Sequence, residues 1–172
     1  MYTVDQYDRL VDVNEIPTCR ISDPSPMVLG TENALVVAYH VDDAAKPFDG
    51  KTVRMADLAP GVDRVALAWF GRPLASSFGP PDEEAIAGHP LAARGLRPFG
   101  CFEVVHSSWI RQLELMNRTH PRHKPEVYAG YRHFILTFRD SMFECVARGY
   151  AVEQHDGPMT RLMARAAMGI NG

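Results

Sequence analysis

Arg132-His133-Phe134-Ile135-Leu136-Thr137-Phe138-Arg139-Asp140-Ser141-Met142-Phe143-Glu144-Cys145-Val146-Ala147-Arg148 is the stretch that decides the fold. Residues 133–138 and 143–148 are rich in aromatic and β-branched side chains and read as two strands. Residues 139–142 are polar and join them. Setting Phe138 opposite Phe143 pairs Leu136 with Cys145 and Phe134 with Ala147 on an apolar face. The other face then carries Thr137 with Glu144, Ile135 with Val146, and His133 with Arg148. A hairpin of this kind sits poorly in a purely parallel sheet, where neighbouring strands need long crossovers.

Upstream of the hairpin, residues 101–105 read as a strand that runs into Ser107-Ser108-Trp109. A serine there caps a helix. Trp109, Leu113 and Met116 recur at helical spacing, and Pro121 ends the helix near Thr119. Residues 35–41 and 65–70 are apolar throughout and read as buried strands. A turn follows the first of them over 42–50. Residues 71–100 hold ten Gly or Pro and form an excursion too long for an ordinary connector. Two short helical segments are expected inside it, over 82–88 and 90–95, with Gly95 closing the second. Residues 1–33 read as irregular chain with one short strand at 7–13. Gly157-Pro158 opens a C-terminal helix ended by Gly169.

Strands and helices do not alternate strictly in this order. The expected class is α+β, a single domain over 1–172 with a mainly antiparallel sheet of about five or six strands and two main helices. A chain of 172 residues can bury a sizeable core without staples. The three cysteines, Cys19, Cys101 and Cys145, are odd in number and contain no CxxC pair, so they suggest neither a disulfide framework nor a zinc site. No apolar run exceeds six residues, and the start lacks a basic, apolar leader. The expected location is therefore cytoplasmic, with no membrane span.

Phosphate-loop and dinucleotide fingerprints are absent, and no cofactor is expected. His120 and His123 flank a proline rather than sharing a helix face, so no metal site is expected. His40 and Asp42 stand two apart at a strand end, the arrangement of an oriented imidazole and of an ordinary polar turn alike. Glu103, His133 and Glu144 are more informative. They interrupt apolar strands, and a buried carboxylate needs a partner. His133 or Arg148 could supply it, and Thr137 lies on the same face. A buried Glu beside a His is an acid/base candidate.

The formal net charge of −3 is a sum of opposed segments. Residues 1–60 carry ten acids and five bases. Residues 94–139 carry eight bases and three acids. The basic stretch contains the helix start, whose free N–H groups attract anions. Arg97, Ser107, Ser108 and Arg111 are accordingly the expected ligand-binding residues for an anionic small molecule. The leading functional reading is a small ligand-binding or accessory domain. The alternatives are a small hydrolase or isomerase using His133 and Glu144, and an interaction module or homodimer using the Met-bearing C-terminal helix. The negative net charge and the lack of a recognition motif argue against nucleic acid. The acidic first third could equally fold against the basic middle.

Overall fold

A computed structural model describes residues 2–21, 26–41 and 64–170. The expected turn over 42–50, and Asp42 with it, lie outside these residues. Nine strands are described: β1 (Arg9–Asp12), β2 (Met27–Gly30), β3 (Ala34–His40), β4 (Arg64–Gly71), β5 (Ala75–Gly79), β6 (Cys101–Val105), β7 (Arg132–Thr137), β8 (Met142–Ala147) and β9 (Gly149–Asp156). The two main helices among the described residues are α1 (Ser108–Asn117) and α2 (Met159–Ile170). All pairings are antiparallel, in one sheet of order β1-β6-β7-β8-β5 and a second of order β2-β3-β4-β9.

The α+β class, the antiparallel pairing and the two helices stand as the sequence predicts. The described strands number nine rather than five or six, because β2, β5 and β9 lie outside the expected strands. β2 lies in a stretch read as irregular. β5 is Ala-Ser-Ser-Phe-Gly, inside the 71–100 excursion. β9 alternates exposed and half-buried positions.

Side-chain alternation explains the layering. Leu35, Val37 and Tyr39 of β3 and Ala66, Ala68 and Phe70 of β4 face Phe134 and Leu136 of β7 and Phe143, Cys145 and Ala147 of β8. This is the core between the sheets, and the Phe70 ring sits 5.5 Å from Phe134 and 5.6 Å from Phe143. The opposite residues of β3 and β4, Val36, Ala38, Val65 and Leu67, are covered by Leu162, Met163 and Ala166 of α2. Met163 is thus core, while Met168 is exposed. On the outer face of the five-stranded sheet, Phe102, Val104, Ile135 and Met142 are roofed by Ile86, Leu91 and Leu96. The Gly/Pro-rich excursion is therefore a packed cover. Its two 3₁₀ turns, Ile86–Gly88 and Ala92–Arg94, fall within the expected segments, and Gly95 closes the second in the left-handed conformation (φ 101°).

The hairpin register differs from the expectation by two residues. Leu136 pairs with Phe143, Ile135 with Glu144, Phe134 with Cys145 and His133 with Val146. Phe138 N–H donates to Ser141 O, so only Arg139 and Asp140 form the loop. The tight two-residue connection sets the register. A two-residue slip keeps every side chain on its face, so His133, Ile135, Glu144 and Thr137 still share the outer surface.

One ribbon belongs to both sheets. β4 pairs with β9 from Arg64↔Asp156 to Gly71↔Gly149, and β5 pairs with β8 from Ala75↔Val146 to Gly79↔Met142. Between the two ladders, Arg72, Pro73 and Leu74 oppose only Ala147 and Arg148. Arg148 N–H bonds Gly71 O, and Leu74 N–H bonds Val146 O. The extra residue is a bulge, and it turns the ribbon from one sheet into the other.

Candidate functional site

The site forms where β7, β8 and the start of α1 meet. β6 ends at Val105, and His106 takes a positive φ of 57°. That turn delivers Ser107 to the cap position of α1, where its Oγ accepts from Ile110 N–H at 3.3 Å. Ser107 Oγ also lies 2.9 Å from His133 Nδ1. His133 Nε2 lies 3.1 Å from Glu144 Oε2. Glu144 accepts from Tyr2 Oη at 3.0 Å, and its second oxygen is 3.5 Å from His89 Nε2. His133 is completely buried, and Ser107 and Glu144 are 3% and 8% exposed. Two aromatic rings enclose the imidazole. Tyr2 and Trp109 both meet it edge-on, at 5.2 and 5.0 Å, and stack on each other at 5.1 Å.

Burial alone would raise the Glu144 pKa. Hydrogen bonds from His133, His89 and Tyr2 outweigh it and bring it down to about 2. Glu144 is therefore ionised at neutral pH. Burial and the Glu144 charge push the Tyr2 hydroxyl well above the ordinary phenol range, so it stays a donor. With Nε2–H donating to Glu144, Nδ1 is left to accept from the Ser107 hydroxyl, and every polar atom of the chain is matched.

The sequence-predicted residues divide. His133 and Glu144 meet, and Ser107 joins them. Thr137 belongs elsewhere: its Oγ1 accepts from Gly100 N–H at 2.8 Å and donates to Arg97 O at 2.8 Å. Arg148 stacks over Tyr131 instead of reaching Glu144. Arg97 pairs with Asp12 at 2.5 Å and lines a cleft of about 430 Å³ beside Ile16, Pro17 and Cys101. Arg111 pairs with Asp5 at 2.5 Å and lines a different cleft of about 490 Å³. Ser107, Ile110, Tyr128, Tyr131 and Arg132 also line that second cleft. The Ser108 N–H donates to the carboxylate of buried Asp8 at 2.6 Å, and the Ser108 hydroxyl is buried with no partner among the described residues. The start of α1 and both arginines thus already hold carboxylates of this chain.

Tyr2, Asp8, His89 and Trp109 were not among the expected site residues. Tyr2, Asp8 and His89 reach the site from 142, 100 and 55 positions away in sequence, and no local pattern marks such contacts.

Among the described residues no cluster of His, Cys, Asp and Glu could hold a metal ion. Among the described residues no helix is long and apolar enough to cross a membrane. No family model, curated protein or solved structure matches the chain.

Proposed function

We propose that the chain is a serine-type hydrolase of small esters, with Ser107 as nucleophile, His133 as general base and Glu144 as the group that orients and charges the imidazole. The observation that carries this reading is the continuous Ser107–His133–Glu144 chain, with separations of 2.9 and 3.1 Å, at the wall of a cleft. Such a constellation is recognised by geometry and role rather than by chain order. The proton of Ser107 Oγ passes to His133 Nδ1 as Oγ bonds the acyl carbon. The imidazole then gives that proton to the departing alcohol oxygen, and water repeats the sequence to free the acid. The second cleft would hold the acyl side against Ile110 and Tyr128.

The anion-binding reading gains less support. Asp5, Asp8 and Asp12 occupy the positions that a ligand anion would take on Arg111, the α1 start and Arg97.

A fluorophosphonate probe with mass-spectrometric site mapping tests the proposal. Phosphonylation of Ser107 is expected, lost in Ser107→Ala and His133→Gln, and slowed at least ~100-fold in Glu144→Gln. Absence of label at Ser107, in both the native chain and Tyr2→Ala, overturns it.

A further inference from the structure

We infer that the space filled by the Tyr2 side chain is a binding site for a planar aromatic hydroxyl compound, and that Tyr2 is its resident, displaceable occupant. The walls of this space are built for such a group. Trp109 offers a face, at 9° to the Tyr2 ring and 5.1 Å between centroids. His133, fully buried, meets the ring edge-on at 5.2 Å. Ionised Glu144 accepts a hydrogen bond from the hydroxyl at 3.0 Å. Stacking and edge contacts recognise the ring, and a charge-assisted hydrogen bond recognises the hydroxyl.

The way Tyr2 is held makes displacement feasible. Thr3 is exposed, and among the described residues no backbone hydrogen bond ties Tyr2, Thr3 or Val4 to either sheet. The first anchored backbone is at Asp5, whose N–H bonds Asp8 Oδ2 at 2.7 Å. Withdrawing Tyr2 therefore costs its own side-chain contacts and breaks no sheet. It would leave Glu144 short of one donor and Trp109 short of its stacking partner. A phenolic ligand restores both. A ligand that must displace Tyr2 binds with an affinity reduced by the fraction of molecules in which the site is open. This binding stands whether or not Ser107 turns over an ester.

The test is calorimetric titration of the full chain with p-cresol and with toluene, for the native sequence, Tyr2→Phe and Tyr2→Ala. Tyr2→Ala is expected to bind p-cresol at least ~10-fold more tightly than the native chain, and at least ~10-fold more tightly than it binds toluene. Tyr2→Phe keeps the ring that fills the space but lacks the bond to Glu144, so its p-cresol affinity should fall between the two. Equal affinity of Tyr2→Ala for p-cresol and toluene overturns the inference, because the space would then be an unspecific hole. Equal p-cresol affinity in all three proteins also overturns it. Should Tyr2→Ala unfold, the Tyr2→Phe and native titrations decide alone. Failure of Ser107 to react with the fluorophosphonate, with p-cresol binding intact, removes the hydrolase reading and leaves this one.

Discussion

Glu144 keeps its charge in a place that would otherwise refuse it. Its carboxylate is stabilised by three donors, His133, His89 and Tyr2, drawn from three separate parts of the chain. The folded-state pKa of about 2 lies below the ordinary value of 4.5. A carboxyl with a depressed pKa contributes its stabilisation above the ordinary value and loses it as pH falls through the folded one. The contribution is about 3 kcal/mol. Acid titration of stability should therefore show a steep loss between pH 4.5 and pH 2 in the native chain. Glu144→Gln should be less stable at neutral pH and flatter across that window, and parallel curves would refute the assignment. At this scale the sequence was partly legible. A His and a Glu interrupting apolar strands signal a paired polar group, whatever the pair does. Their further partners were illegible, because Tyr2 and His89 are fixed by packing rather than by any local propensity.

Among the elements, the junction of β6 and α1 does the most for the site. The serine cap was legible from Ser107-Ser108-Trp109, and its helix runs from Ser108 as expected. The same helix exposes Met116, which the spacing had placed on the packed side, because α1 lies at the edge of the molecule and buries little beyond its first turn. The carboxylate at its start was not legible, since Asp8 belongs to the chain preceding β1. That carboxylate has a consequence for catalysis. Negative charge developing on an acyl oxygen near Ser107 would face Asp8 beside the Ser108 N–H. Asp8→Asn keeps an acceptor toward Ser108 and gives up the one toward Asp5 N–H. It should lower stability by about 1–2 kcal/mol and raise the rate of Ser107 phosphonylation severalfold. A slower reaction, measured by timed labelling of folded protein, would place the developing charge elsewhere.

At the scale of the whole molecule, part of the opposed charge meets in internal contacts among the described residues. Asp5 meets Arg111, Asp12 meets Arg97, and Arg94 donates to the Asp8 carbonyl. β1 itself pairs with β6 at the head of the basic stretch. Among the described residues, Asp5 and Asp12 of the acidic start thus pair with two arginines of the basic middle. These exposed pairs add little stability individually and act more on which segments meet. The composition could show that the segments were opposed, though not that they touched, because contact depends on which strand becomes the neighbour of β6. The bulged ribbon at Arg72–Leu74 was equally hidden, since it joins two ladders through backbone pairing that no side-chain pattern announces. Because that ribbon is a working part of both sheets, neither sheet has a boundary along which it could come apart first. Melting should then be a single event. Trp69 fluorescence on β4 and the ring signals of His133 on β7 should disappear at one temperature, as though the nine strands were a single piece of cloth folded along one crease.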